Sequence, residues 1–215
     1  METLINPSWI ASATKPKKRG FPVSRIFNDL QPLKMAAPPC AAGNQESFGV
    51  FLTNHPVSEY QHLTGATDCA SEAEGLVRGA RTEVLIFAPR LDPELFASTG
   101  FLTAAREFLL RSPRTQMRAL VRDVEAIVGD AHPLLRLSNR LPSKFSLRVI
   151  ATDFDEVVER YLIADRTGLL HLTQADGWNA YCHPHATPQA RTLARQFDQI
   201  WEFSHEHPDL RRMTL

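Results

Sequence analysis

The chain has 215 residues, with 24 Lys+Arg against 24 Asp+Glu, 43% apolar and 8% aromatic residues. That is the composition of a globular protein, not of a collagenous or wholly disordered chain. A formal net charge of zero argues against a general polyanion binder, because such affinity comes from a basic excess on one face. No run approaches the ~20 apolar residues of a membrane span.

Cys40, Cys69 and Cys182 are widely spaced, with no Cys-x-x-Cys. This argues against a disulfide framework and fits a reducing, cytoplasmic setting. Leu4 to Ala13 is interrupted by Asn6, Pro7 and Ser8, so no signal peptide is expected.

Residues 1–65 hold seven of the fifteen prolines and four of the five lysines. Lys15-Pro16-Lys17-Lys18-Arg19 is a short basic run, and Ala36-Ala37-Pro38-Pro39-Cys40-Ala41-Ala42-Gly43 has the character of a linker. Neither shows helical or strand periodicity, so a disordered leader is expected over 1–65 and a folded domain over 66–215.

Ala70 to Arg81 reads as a helix, and Glu83-Val84-Leu85-Ile86-Phe87-Ala88 as a short buried strand. Asp92-Pro93-Glu94 is a helix start, with Asp at the N-cap and Pro in the first turn. Phe101, Leu102, Ala105, Phe108 and Leu109 then share one helical face. Gln116 to Val121 is a second strand, and a helical stretch to Leu141 is broken at Gly129 and Pro133. Phe145 to Ile150 is a third strand, so this part alternates strand and helix as a parallel sheet does.

Val157 to Ala164 and Gly168 to Thr173 are strand-like and joined by Asp165-Arg166-Thr167, short enough for a hairpin. Trp178 to Cys182 adds another strand. Thr187-Pro188 opens a last helix whose Ala190, Leu193, Ala194, Phe197, Ile200 and Trp201 keep the 3.6 period. The fold class expected is α/β, a mixed and largely parallel sheet flanked by helices.

Few groupings carry chemistry. There is no Gly-x-x-x-x-Gly-Lys, Gly-x-Gly-x-x-Gly, Gly-x-Ser-x-Gly or His-Glu-x-x-His, which leaves phosphate cradles, serine hydrolases and zincins unsupported. Cys182-His183-Pro184-His185 and His205-Glu206-His207 could converge on zinc, but the spacing is that of no recognised finger. We expect no metal and no cofactor. Asp153, Asp155 and Glu156 read as a solvated turn. Arg106, Arg111, Arg114, Arg118 and Arg122 are interleaved with Glu107, Asp123 and Glu125, as on a salt-bridged surface.

One segment goes further. Val158-Glu159-Arg160-Tyr161-Leu162-Ile163-Ala164-Asp165, with the order of elements around it, resembles one half of a phospholipase D-like phosphodiesterase domain. In that superfamily a strand bears His-x-Lys-x-x-x-x-Asp, a Gly-Ser-x-Asn-like element follows, and a helix with Phe and Trp closes the unit. Asp165 fits the motif acid, Gly177-Trp178-Asn179 is a loose form of the second element, and Phe197 and Trp201 fit the helix.

The departures matter more. Val158 stands at the histidine position and Arg160 at the lysine position. The resemblance implies a nucleophilic histidine and a second histidine as general acid, and valine can be neither. A homodimer would carry Val158 twice.

The sequence therefore points to a degenerate domain with no catalytic residue, acting as a binding or scaffolding module. Arg160, Asp165, Asn179 and His171 are its candidate phosphate-binding residues. Asp165 also suits a turn without any ligand. The resemblance implies a second copy of the chain, an acetyltransferase-type protein or another protein as partner, and nucleic acid is not expected. Two alternatives stand beside this one. One is an active phosphodiesterase or nuclease using His171, and the other a nucleic-acid-binding protein using the basic run.

Overall fold

The computed structural model describes residues 60–154, 159–172 and 177–211. The basic run at 15–19, the linker at 36–43, Cys40, Asp155, Glu156 and Val158 lie outside them. The described residues all belong to one compact unit within 52–215.

Seven strands form one sheet: β1 (Gln61–Thr64), β2 (Glu83–Phe87), β3 (Gln116–Val121), β4 (Phe145–Val149), β5 (Arg160–Ala164), β6 (Gly168–Leu172) and β7 (Asn179–His183). Their order across the sheet is β1-β7-β6-β5-β2-β3-β4. The sheet begins at Gln61, upstream of the boundary expected at 65/66. β1 pairs antiparallel with β7, and only Leu63 of its four residues is buried, too faint an alternation to mark a strand in the sequence.

β2, β3 and β4 are mutually parallel, joined by helices as the strand–helix alternation predicts. α2 (Pro93–Phe96) and α3 (Thr99–Arg111) lie between the first two, α4 (Val124–Gly129) and α5 (Pro133–Arg140) between the next. β5, β6 and β7 continue from the other side of β2, each antiparallel to its neighbour. The sheet is therefore mixed, and its direction reverses between β2 and β5.

The strands read as near-continuous apolar runs because both faces are covered. On the first face α1 (Ala66–Gly79), α3 and α5 pack Ala73, Val77, Phe101, Phe108 and Leu134 against Val84, Ile86, Ala119 and Leu162. On the second, α6 (Thr187–Phe203) packs Ala190, Leu193, Phe197 and Trp201 against Leu85, Phe87, Leu120 and Ile163. A short helix, α7 (Pro208–Arg211), ends the described chain.

The caps explain where the helices start. The Ser98 hydroxyl accepts from Phe101 N–H at the head of α3, and the Asp123 carboxylate accepts from Ala126 N–H at the head of α4. His132 caps α5, its Nδ1 accepting from Leu134 N–H. Asp92 precedes α2 as expected, yet its side chain makes no cap bond.

The β5–β6 hairpin turns on Asp165 and Arg166, both at positive φ (51° and 58°), and Thr167 N–H donating to Ala164 O closes it at 3.0 Å. This is the handedness that matches strand twist, ordinarily met by Asn-Gly or Asp-Gly. An arginine in that conformation costs roughly 1–2 kcal/mol. Its guanidinium is held by Glu83 at 2.9 Å and Asp198 at 2.8 Å.

Candidate functional site

β2 runs opposite to β5, so the end of β2 and the start of β5 lie at the same edge of the sheet. The ends of β3, β4, β6 and β1 and the start of β7 meet there too. In open α/β sheets ligands bind outside the carboxyl ends of the parallel strands, where strand order reverses. Here that point falls between β2 and β5, and Arg160 is the first residue of β5.

Arg160 projects to the first face with Leu162 and Ala164. It is 6% exposed. Its guanidinium donates to the Asp92 carboxylate at 2.7 Å and to Gly177 O at 2.6 Å, and stands 5.7 Å from the Trp178 ring centroid. Asp92 thus leaves its helix uncapped to neutralise Arg160, which ties the β2–α2 loop to β5 and to the segment before β7. The head of α1 joins the same corner: Gly65 N–H donates to Trp178 O at 3.1 Å, and the Cys69 thiol lies 3.7 Å from that oxygen. Burial pushes the Cys69 thiol up, and Asp68 adds to the effect while Arg160 opposes it.

Asp165 is five residues along the strand, about 16 Å away at ~3.3 Å per residue. Its carboxylate accepts from the backbone N–H groups of Arg81 (2.7 Å), Thr82 (2.8 Å) and Glu83 (3.0 Å), and from the Thr82 hydroxyl (2.7 Å). Burial alone would raise its pKa, but the hydrogen bonds prevail and hold the carboxyl below its ordinary range. Asp165 is a clasp on the opposite edge of the sheet.

His171 pairs across the sheet with Tyr161 and Tyr181. It therefore projects to the second face, away from Arg160. Its Nε2 is 3.9 Å from the Glu159 carboxylate, and burial pushes its pKa down against the opposing pull of Glu159. Asn179 precedes Ala180, a residue of the first-face core, so strand alternation places it on the second face as well. The four candidates are thus spread over two faces and two edges. The structure brings Arg160 to Asp92, Gly177 and Trp178, but not to Asp165, His171 or Asn179.

The pairing of Arg160 with Asp92 was not read from the sequence, where Asp92 carried an ordinary cap signal. Glu159 beside His171 was likewise missed. Cys182 and His183 lie on β7, whereas His205 bridges to Val149 of β4, five strand spacings or roughly 24 Å away. Among the described residues no three His, Cys, Asp or Glu side chains are grouped to hold a metal ion, and no helix is long and apolar enough to cross a membrane.

The mixed sheet, flanked by helices on both faces and reversing direction at β2/β5, is a phospholipase D-like α/β fold. Phosphatidylserine synthase from Haemophilus influenzae Rd KW20 aligns with it over 74% of this chain and 40% of the synthase, at a TM-score of 0.53 and 13% identity. TrmBL2, an archaeal chromatin protein with a novel mode of DNA binding, aligns over 72% of this chain and 56% of its own at 0.51 and 13%. Nuc from Salmonella typhimurium, a phospholipase D family member, aligns over 69% of this chain and 99% of its own at 0.47 and 10%. The chain thus spans about half of the chromatin protein's length and less of the synthase's.

The chain itself belongs to the family described as Domain of unknown function (DUF7931), whose match runs over residues 65–213. No curated protein matches it in sequence.

Proposed function

We propose that this chain is a phospholipase D-like domain without phosphodiesterase activity, working as a binding or scaffolding module for a protein partner. The observation that carries the reading is the closure of Arg160 by Asp92 at 2.7 Å and by Gly177 O at 2.6 Å. A phosphate arriving there would have to displace a carboxylate already paired in a nearly dry site, where such pairs are strongest. Valine at position 158 adds that the nucleophile of the resembling family has no counterpart at its place in the motif. A second copy of the chain or an acetyltransferase-type protein is the kind of partner the family resemblance suggests, by fold analogy alone.

The test is turnover of bis-p-nitrophenyl phosphate and of plasmid DNA by the full chain, with and without divalent cations. No release above buffer is expected. A second reading, an active phosphodiesterase, is favoured by the closeness of the His171 imidazole and the Glu159 carboxylate, a base-and-orienter arrangement. Turnover abolished by His171→Ala, with the fold intact, would replace the first reading by the second.

A further inference from the structure

We infer that the second face of the sheet, at the corner formed by β5, β6, β7 and β1, binds an organic cation of the ammonium or guanidinium class. This site lies on the opposite face from Arg160 and does not depend on the reading above.

The strand registers place Phe87, Tyr161, His171, Tyr181 and His62 opposite one another on five adjacent strands. Phe87 and Tyr161 are stacked with centroids 5.1 Å apart, Tyr161 and His171 are 6.4 Å apart, and His62 meets Tyr181 edge-on at 5.1 Å. The row passes from core to solvent. Phe87 and Tyr161 are buried, the His171 side chain is 20% exposed, Tyr181 is half-buried and His62 exposed.

Among the described residues, the helix on this face leaves the corner uncovered. α6 follows β7 directly, and past its end His205 pairs with Val149 at the close of β4, so it crosses the face diagonally away from the start of β7 and the end of β1. The row of rings runs out to the edge strand.

Among Glu159 and the described residues of β1, β5, β6 and β7, the charge on this face has one sign. Glu159 stands beside His171, 39% exposed, and neither Lys nor Arg projects from this face on β1, β6 or β7, whose sequences are QHLT, GLLHL and NAYCH. Arg160, the one cation of β5, faces the other way. Ring faces carry negative potential and attract a cation within ~6 Å of the centroid, and the Glu159 carboxylate beside His171, the middle ring of the row, adds a charge partner. A polyanion would meet that carboxylate with no compensating base, so the pattern favours a cation over nucleic acid.

The experiment titrates the full chain with tetramethylammonium chloride and with butylguanidinium chloride at constant ionic strength, following the ring-proton NMR signals of His62 and Tyr181. Saturable shifts are expected, with none from tert-butanol, a neutral molecule of similar size. Glu159→Gln should weaken binding about fivefold, as loss of about 1 kcal/mol of cation stabilisation would. His62→Ala, at an exposed ring, should weaken it about twofold without lowering the melting temperature, and this variant decides alone if Glu159→Gln impairs folding. Tighter binding of an arginine tripeptide than of tetramethylammonium would assign the cation to a protein side chain, and the reverse to a free amine. Shifts linear in salt, an equal response to tert-butanol, or unchanged affinity in the folded variants would overturn the proposal.

Discussion

The two ends of β5 carry two residues of one motif-like segment and use them differently. At the far end Asp165 gives its carboxylate to three backbone N–H groups and a hydroxyl. Beside it Glu83, Arg118, Asp198 and Arg166 close into a ring of four ion pairs of 2.6 to 2.9 Å. At the near end Arg160 meets, among the described residues, a carboxylate, a carbonyl and an indole. The first arrangement locks the hairpin to the start of β2. The second lies where open sheets place ligands, and there the cation is closed by the protein itself. Both residues of the segment thus serve architecture: the acid builds the turn, and the cation ties loops together.

The contrast breaks most visibly at Arg160. Arg160→Ala would leave the Asp92 carboxylate, with 22% of its side chain exposed, facing an empty gap, and removal of one partner from a buried pair costs about 3–5 kcal/mol. Arg160→Met with Asp92→Leu removes both charges and should cost less than Arg160→Ala alone, as read from urea midpoints. A loss below about 1 kcal/mol in Arg160→Ala would put the pair in the class of exposed ion pairs and leave Arg160 available for a ligand.

Asp165→Ala comes next. Three backbone donors lose their acceptor and alanine must hold a left-handed conformation, so about 2–3 kcal/mol is expected, discounted because the edge is half in water. Asp165→Asn keeps an acceptor and tolerates the conformation better, and should lose about half as much. If the two variants melt together, backbone strain and not the clasp governs this turn.

The ion-pair ring is the smaller part of the same edge. Arg166 is 40% exposed, so a double-mutant cycle of Arg166→Ala and Asp198→Ala should give a coupling of about 1 kcal/mol, reduced in 1 M salt. Arg118 should couple to Asp198 more strongly. It is more buried and also stands 5.3 Å from the ring centroids of both Phe197 and Trp201. Equal, salt-insensitive couplings would mean that the pairs are held by packing and not by charge.

How far the sequence foretold this differs between fold and site. β2, β3 and β4 were legible because buried parallel strands are continuous apolar runs between helices, and α6 because six of its apolar residues keep the helical period. The hairpin was legible from Asp165-Arg166-Thr167. β1 was not, since one buried residue in four leaves no alternation to read. The placement of the four candidate residues was not legible for another reason: spacing along the chain says nothing of which sheet face a strand presents. Arg160 and His171 stand eleven residues apart on adjacent strands, and register alone separates them. The Asp92 carboxylate was equally invisible, because cap and ion pair draw on the same residue type.

The smallest expected effect is a slope with pH. His132 is 3% exposed, and burial pushes its pKa below the ordinary 6.5, with Asp130 opposing and Arg136 assisting. His171 is lowered in the same sense by burial, against Glu159. In both, the unfolded chain takes up protons near pH 6.5 that the folded chain refuses. Stability is therefore at its full value above that pH and falls as pH drops through it toward the folded-state values. Urea midpoints at pH 7.5, 6.5 and 5.5 should decline in that order. His132→Asn keeps an N-cap acceptor and removes one titrating group, so its decline should be shallower, and His171→Asn should add to the flattening. If the double variant declines as steeply as the parent, other groups set the slope, and the buried imidazoles on the two faces contribute packing and caps without any linkage to acid.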